Sequence, residues 1–510
     1  MDIRDQSAVI DFLKHPESYG KTGQVKVIET HISLVFLIDD RAFKLKRAVK
    51  LPYVDFSTYE RRLTLSLREV ELNCRATPDL YLGIRRITRE ADGSLTFDGK
   101  GDAIDVVVVM LRFSQHDLFD RMADEGRLTA SMLEETAGII ARFHASASVV
   151  HDGSGSANIA AVLDINDAGF ATSHLFRGPE LADLSERFKT AWNTHIRLLD
   201  ERERAGKVRL CHGDLHLRNI YESSKGPRLF DCIDFNDQIA TVDVLYDLAF
   251  LLMDLWHRGF PQLASLVANR YLDATGDDGG VALLPFFMAV RAAVRAHVTG
   301  TQIEEMADPG GKMAASARSY FDFAKDLLRP SAARLIAIGG LSGSGKSTLA
   351  EALAPRTGIP PGARVLESDR IRKGMFAIEA SGTLPAEAYN SDVSRRVYET
   401  MLQKAQAVLE RGGTAIVNAV FDRTEDRDAA QQLATDLGVD FRGIWLEANP
   451  DTLRRRIETR PKGASDATID VLNSQLSRNT GTIDWHRFDS TQPVSALVAR
   501  AEGLLSANAG

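Results

Sequence analysis

Cysteine is scarce. Cys74, Cys211 and Cys232 are the only ones in 510 residues, and no two form a C-x-x-C pair. That excludes a disulfide framework and a cysteine-rich zinc site, and it fits a reducing compartment. Long apolar runs are also missing: stretches such as 104–111 and 281–290 fall short of the roughly 20 residues that cross a bilayer. The charged start, Met1-Asp-Ile-Arg-Asp-Gln, lacks the apolar core of a secretory signal. A cytoplasmic protein with no membrane partner is expected. Basic charge is not in excess either, since 62 Lys and Arg face 70 Asp and Glu for a formal net charge of −8. A nucleic-acid role would therefore need a local basic patch. No fixed-period repeat or low-complexity tract is present. What remains, 44% hydrophobic and 26% charged residues, is the mixture of a soluble globular chain, long enough for two or three domains at about 150 residues each.

Pro330, in Leu328-Arg-Pro-Ser-Ala-Ala-Arg334, ends the helical pattern before it, because its ring and missing N–H do not fit a helix interior. A fresh apolar run begins at Arg334, so the chain is cut into 1–330 and 331–510. The first segment opens with strand patterns at 25–28, 33–38 and 41–46, Asp39-Asp40 making the turn between the last two. A helical stretch from Ser57 to about Arg75 and a strand over 105–111 follow. Past Asp117 the pattern is helical, as at 131–145, where Leu133, Ala137, Ile140 and Phe143 share a face. This predicts a β-rich lobe, about 1–112, and an α-rich lobe, about 113–330, with a cleft between them. The second segment alternates, with strands at 334–339, 363–367, 414–418 and 441–447 and a helix over 391–410 that Gly412-Gly413 ends. Asp422 and Glu425 have the spacing of a capping box, and Asn449-Pro450 sets a cap before a first-turn proline. Such alternation predicts a parallel sheet covered on both faces.

Gly340-Leu-Ser342-Gly343-Ser344-Gly345-Lys346-Ser347 fits G-x-x-x-x-G-K-[ST] at every fixed position, and Thr348 follows. Glycines let backbone N–H groups converge on phosphate oxygens, Lys346 adds a point charge, and the Ser347 hydroxyl can ligate Mg2+. The helix expected over 346–353 turns its positive end to the nucleotide. After the next strand comes Glu367-Ser-Asp369-Arg370-Ile-Arg372-Lys. Here the chain resembles the small P-loop kinases, such as polynucleotide, gluconate and zeta-type toxin kinases. The resemblance implies that Asp369 activates an acceptor hydroxyl and Arg372 binds phosphate. It also implies a lid helix whose arginines, among Arg454-Arg455-Arg456 and Arg460, stabilise transition-state charge, with Arg456 in the catalytic set. Ser465-Asp466-Ala467 is assigned no role. One position departs: Asn418 closes the 414–418 strand where these kinases carry an acid. It keeps an acceptor oxygen but loses the charge that would hold Mg2+ or orient Arg372.

In the first segment, Cys211-His212-Gly-Asp214-Leu-His216-Leu-Arg-Asn219 has the Asp-x-x-x-x-Asn spacing of kinase catalytic loops. It closely resembles aminoglycoside phosphotransferases and choline kinases, relatives of the protein kinases. The resemblance makes Asp214 the base for the acceptor hydroxyl, Asn219 a metal ligand and His212 a prop for the loop. Asp231, 12 positions past Asn219, fits that family's metal-binding Asp, and Asp234, 15 positions past, is a second candidate. Asp243 and Asp247 are expected to brace the lobe. Lys44 and Glu69 match the lysine–glutamate pair that keeps the α- and β-phosphates in register, and Lys46 shares the strand face with Lys44 because side chains alternate. Met110, closing the 106–111 strand, is placed at the adenine. No glycine-rich loop is found; Glu29-Thr-His-Ile-Ser33 stands in its place, a departure common among aminoglycoside-type kinases.

The pairing resembles a bacterial family described as bifunctional aminoglycoside phosphotransferase/ATP-binding proteins, over nearly the whole chain. It implies an α+β bilobal protein-kinase-like domain followed by an α/β P-loop NTPase domain of the AAA family. It also implies ATP and Mg2+ as cofactors, with the γ-phosphoryl group passing to a hydroxyl of a small sugar, polyol or aminoalcohol. Drug resistance is not implied, because fold and site type do not fix the acceptor. Two other readings stay open: a nucleic-acid kinase, on the polynucleotide-kinase likeness, and an ATP-sensing regulator with one weak half, on Asn418 and the missing glycine loop. Acceptor identity and oligomeric state are left open by these residues.

Overall fold

The computed structural model describes residues 5–30, 32–51, 54–305, 311–379, 382–459 and 465–506. They pack as two compact units, one joining the chain up to 158 with 199–251, the other joining 159–198 with the chain from 252 onward.

In the first unit, strands β1 (Lys26–Glu29), β2 (Ser33–Ile38), β3 (Arg41–Lys46), β4 (Tyr81–Arg89), β5 (Leu95–Phe97) and β6 (Asp102–Leu111) form an antiparallel sheet in the order β1-β2-β3-β6-β4-β5. The β-branched run Val106–Val109 makes β6 central, and the Asp39-Asp40 turn joins β2 to β3 as expected, Asp39 taking a positive φ of 46°. Strand β4 lacks a sequence signal: Arg85, Arg86 and Arg89 interrupt the alternation, and pairing with β6 makes it a strand. Helix α1 (Tyr59–Cys74) starts at Thr58, whose side chain accepts from the Arg61 N–H. Its inward stripe is polar: Arg62, Ser66, Glu69 and Asn73 are all buried. Arg62 forks onto Asp105 of β6 at 2.8 and 3.0 Å. Removing one partner of such a buried pair costs about 3–5 kcal/mol, so the helix is held to the sheet at a defined register. Glu69, two turns further along, is thereby aimed at β3. Helix α2 (Ala130–Ser146) matches the expected 131–145 helix. The motif 211–219 leaves β7 (Val208–Leu210) and enters the hairpin of β8 (Ile220–Ser223) and β9 (Gly226–Leu229).

The second unit holds a parallel sheet of β10 (Arg334–Gly339), β11 (Arg364–Glu367), β12 (Thr414–Asn418), β13 (Asp440–Glu447) and β14 (His486–Asp489), in the order β11-β12-β10-β13-β14. Helices α3 (Pro261–Thr275) and α4 (Leu284–Glu305) precede it in sequence. Its own helices are α5 (Lys346–Leu353), α6 (Ser368–Met375), α7 (Ser391–Leu409), α8 (Thr424–Asp436), α9 (Pro450–Thr459), α10 (Ile469–Leu476) and α11 (Val494–Ser506). Alternate strand residues divide between the faces. Leu335, Ala337, Ala415 and Val417 pack with α7 and α8, while Ile336, Ile338, Ile416 and Ile444 pack with α5 and α11. Each buried Leu, Ile or Val side chain among them contributes about 1.5–3 kcal/mol. Leu272 of α3 and Val281 join the first of these clusters, so residues on the early side of Pro330 build part of the core beneath the P-loop sheet. Strand β14 was not expected, because only Phe488 of its four residues is buried and it lies at the sheet edge. Asn449 caps α9 as expected, accepting from Thr452 N–H at 2.8 Å. The capping box at Asp422 is corrected: α8 has no side-chain cap, and Asp422 pairs with Arg478 at 2.7 Å. A guanidinium is a stronger partner for a buried carboxylate than one helix-end N–H. The stretch Asp278–Ile303 is apolar and long enough to cross a membrane, but 72% of its most apolar window is buried in the protein.

Candidate active sites

Lys44 and Lys46 project from one face of β3, and both reach Glu69: Lys44 Nζ lies 2.8 Å from Oε1 and Lys46 Nζ 2.6 Å from Oε2. Each lysine also holds a carboxylate from the segment after β9, Asp231 at 2.6 Å from Lys44 and Asp234 at 2.7 Å from Lys46. Burial raises the Glu69 pKa, but Lys44 and Lys46 outweigh burial and hold its carboxyl well below the usual range. At Asp234 burial wins over Lys46 and the pKa is raised. With all five ionised, two ammonium groups face three carboxylates, an excess of negative charge that a divalent cation can balance. Asp231 adopts a positive φ of 62°, and its N–H donates to the Tyr81 hydroxyl at 3.2 Å. The backbone thus accepts local strain where it presents this carboxylate.

The 211–219 loop is braced by its neighbours. Asn219 Nδ2 donates to both the carboxylate (2.9 Å) and the carbonyl (2.8 Å) of Asp214, leaving its own Oδ1 as the acceptor open to a cation. His216 Nε2 lies 3.3 Å from the Asp214 carboxylate. His212 fills the role of prop: its Nε2 is 2.9 Å from the Phe230 carbonyl, and its carbonyl accepts from Ile233 N–H at 2.9 Å. These bonds tie the loop to the Asp231–Asp234 segment. Asp247 accepts from the N–H groups of His212 (3.2 Å) and Gly213 (2.8 Å) and lies 3.0 Å from His144 Nε2, while Asp243 binds Arg202 at 2.6 and 2.8 Å. Met110 is buried opposite Ala42, on the strand face that carries Val108 opposite Lys44. The N–H groups of Leu111 and Arg112 are bonded to the carbonyls of Leu80 and Asp40, both at 2.9 Å.

In the second unit the P-loop occupies the turn from β10 into α5. A Cβ on Gly340 would sit 2.6 Å from the Leu446 carbonyl and one on Gly343 2.7 Å from that of Leu453, so both positions require glycine. Gly345 has a φ of 87° with open space beside it. Ser342 N–H donates to Gln475 of α10 at 2.9 Å, and Lys346 Nζ spans the loop to the Leu341 carbonyl at 3.1 Å. Ser344 Oγ is buried without a hydrogen-bond partner. Such an orphaned hydroxyl in a cradle of N–H groups fits a phosphate, whose oxygens would satisfy it. Ser347 and Thr348 are exposed at the start of α5. Asn418 Nδ2 lies 3.1 Å from Ser347 Oγ and 3.1 Å from Glu367 Oε1.

Asp369 sits half-buried in the first turn of α6. Arg372 donates to the Ala388 carbonyl (2.6 Å) and to Ser394 Oγ (3.2 Å) and lies over the Tyr389 ring at 5.2 Å, with its buried Nε lacking a partner. Burial, then the charges of Asp466 and Asp369, push the Tyr389 phenol pKa up, which places both acids near that ring. Asp466, to which the sequence assigned nothing, binds Lys373 Nζ (3.0 Å), Leu384 N–H (3.1 Å) and Tyr389 Oη (3.2 Å). Arg456 reaches back to the P-loop side, donating to Ser490 at 3.2 and 2.7 Å and approaching the Gly343 carbonyl at 3.5 Å. Arg454 pairs with Asp451, and Arg460 lies outside the described residues. Sequence reasoning thus missed the parts played by Glu367 and Asp466. A glutamate closing an otherwise apolar strand was the available signal for the first.

Fold and sites define a kinase, a protein-kinase-like phosphotransferase domain and a P-loop kinase domain in one chain. Residues 96–284 match the model of a phosphotransferase enzyme family and residues 335–481 that of an AAA domain, the pairing that the motifs predict. An uncharacterised protein of Mycobacterium tuberculosis is 29% identical over 489 residues, covering 94% of each chain. A shikimate kinase of Rhodopseudomonas palustris is 31% identical over 133 residues, 25% of this chain and 56% of that enzyme. Among solved structures, a choline/ethanolamine kinase family protein from Mesorhizobium loti aligns with 64% of this chain and 95% of its own, at 13% identity and a TM-score of 0.42.

Proposed function

We propose that the protein is a phosphotransferase with two ATP sites, each passing the γ-phosphoryl group to a hydroxyl of a small polar acceptor such as a sugar, polyol or aminoalcohol. The observation that carries this reading is that each compact unit holds its own set of phosphate-handling groups: Lys44, Glu69, Asp214, Asn219, Asp231 and Asp234 in the first, the complete P-loop with Asp369 and Arg372 in the second. In the first unit Asp214 takes the acceptor proton as the oxygen bonds to phosphorus and the bridging P–O bond to the leaving diphosphate breaks; in the second Asp369 has that part. Asn219 with Asp231 and Asp234, and Ser347 in the P-loop, are the residues that would hold Mg2+, which when bound neutralises charge on the phosphates. Lys44 and Lys346 orient the phosphates. Met110 borders the adenine, and Arg456 steadies the P-loop through Gly343 and Ser490.

A small acceptor is favoured over a nucleic acid. Among the described residues, Arg478 and Arg487 are each paired with an acid, Asp422 and Glu447, both at 2.7 Å, which reduces the basic charge open to a polyanion. Use of ATP and three unpaired thiols support a cytoplasmic enzyme that works without a membrane. The test is a screen of a metabolite pool with γ-labelled ATP, run on wild type, Asp214→Asn and Lys346→Ala. The reading expects one labelled product to vanish in each variant; a pool left unlabelled by the wild type would refute it.

A further inference from the structure

Asn418 leaves β12 without a charge beside Ser347, and the missing charge lies one strand over. Glu367 is the last residue of β11 and the direct cross-strand partner of Asn418 in the parallel register. It is 5% exposed, and its two oxygens face different ways. Oε2 is held by Arg370 Nε at 3.0 Å, while Oε1 accepts from Asn418 Nδ2 at 3.1 Å and the Ser347 hydroxyl donates to the same carboxylate. Asn418 donates to Ser347 Oγ as well, also at 3.1 Å, so serine, asparagine and glutamate form one closed set at the start of α5.

The carboxylate is anchored from outside the P-loop sheet. Arg370 Nε lies 3.9 Å from Asp273 of α3, and Asp273 binds Arg364 at 2.7 Å. Arg364, 2% exposed, also binds Asp278 at 2.7 Å, and Asp278 takes Lys404 of α7 at 2.7 Å. This chain of buried pairs fixes Arg370 and, through it, the direction of Glu367. The buried carboxylate thus has one guanidinium at hydrogen-bond distance and neutral partners on its other side. A divalent cation beside Ser347 would add positive charge on the side of the carboxylate that faces the P-loop, away from Arg370.

We propose that Glu367, held by Arg370 and Asp273, supplies the carboxylate that joins the Ser347 hydroxyl in binding the divalent cation of the P-loop site, with Asn418 as a neutral donor positioning both. The assignment rests on the reading that this half binds ATP with a cation. It explains why a strand ending in asparagine is compatible with a complete P-loop: the acid has moved to the neighbouring strand.

The experiment is Mn2+ titration by electron paramagnetic resonance on the full chain with saturating ATP, alongside ATP binding in EDTA. Lys346→Ala identifies which bound Mn2+ belongs to the P-loop. Glu367→Gln should weaken that Mn2+ by about 10–100-fold, the range for lost metal-shell partners, while ATP still binds in EDTA. Glu367→Gln/Asn418→Asp, which returns the charge to β12, should recover it. Unchanged P-loop Mn2+ affinity in folded Glu367→Gln would overturn the assignment alone. If Glu367→Gln does not fold, Asn418→Asp carries the test: a second carboxylate beside Ser347 tightens Mn2+ binding if the site is there, and no change counts against it. A wild type without Lys346-dependent ATP binding would overturn the underlying reading, and the assignment with it.

Discussion

Glu69 and Glu367 are both buried glutamates at the two candidate sites, yet their environments drive them in opposite directions. Glu69 lies between two ammonium groups at 2.8 and 2.6 Å, and its carboxyl is held well below the ordinary range. Glu367 has one guanidinium at 3.0 Å, and burial wins, raising its pKa. Equal burial therefore does not mean equal charge: the number of close cations decides, because each offsets part of a desolvation cost of several kcal/mol. The kinase-like site sets two lysines against three carboxylates, a cluster of close side-chain charges. The P-loop site is built chiefly from a backbone turn that requires glycine at Gly340 and Gly343, with Glu367 held by one guanidinium.

If the two sites act separately, the sharpest break between them is catalytic. Asp214→Asn should lower one phosphotransfer activity by about 10²–10⁴-fold, the usual worth of a positioned general base, and leave Lys346-dependent ATP turnover intact. Lys346→Ala should do the reverse. Product formation from γ-labelled ATP reads both. Loss of both activities in either single variant would show one composite site and end the comparison.

Stability separates the two glutamates next. Glu69→Gln leaves Lys44 and Lys46 buried with reduced counter-charge, and a broken buried pair costs about 3–5 kcal/mol. Glu367→Gln removes a carboxylate that burial already penalises and should change stability by about 1 kcal/mol, the scale of one hydrogen bond. Urea unfolding of the full chain, followed by far-UV circular dichroism, measures both. Similar losses in the two variants would mean that charge count does not govern these sites.

A third contrast is in pH. Glu69 has a folded pKa below the ordinary 4.5, so its stabilisation is present above that value and is lost as pH falls from 4.5 toward the folded value. Glu367 has a folded pKa above 4.5, so its contribution is present below 4.5 and is lost as pH rises through the folded value. Acidification from pH 4.5 toward about 2 should therefore weaken the first unit through Glu69, whereas Glu367 adds no loss over that range. Glu69→Gln should flatten that acid limb. An unchanged limb in Glu69→Gln would assign it to another carboxylate.

Much of this could be read from local pattern. The strands at 33–38, 41–46 and 414–418 and the helix at 391–409 appear where periodicity and caps put them, because each has its own apolar face or glycine stop. The P-loop and the Asp214–Asn219 spacing were visible because backbone geometry and chemistry fix both composition and distance. What could not be read depends on contacts far apart in sequence. Strand β4 exists through β6, and β14 is an exposed edge. Asp422 met Arg478, 56 positions away, before it could cap a helix. Lys46 gained its importance from Asp234, 188 positions on, and Arg364 from Asp273 and Asp278, on the other side of Pro330.

Asp466 offers the smallest and most specific test of the contrast, since on the proposed function it borders the acceptor side of one site only. Its carboxylate joins Lys373 of α6, the Leu384 N–H and the Tyr389 hydroxyl at 3.0–3.2 Å, and so positions the wall beside Asp369 and Arg372 without lying in the P-loop. Asp466→Asn keeps an acceptor oxygen but loses the charge that Lys373 faces. A loss of about 1–1.5 kcal/mol for one charge-assisted bond corresponds to roughly a tenfold rise in acceptor KM. The ATP KM should stay as in wild type, because Lys346, Ser347 and Glu367 keep their contacts. Activity of the Asp214 site should not change, and that is the decisive control. A rise in ATP KM with acceptor KM unmoved would place Asp466 in the lid over the nucleotide, and the division between phosphate cradle and acceptor wall would have to be redrawn.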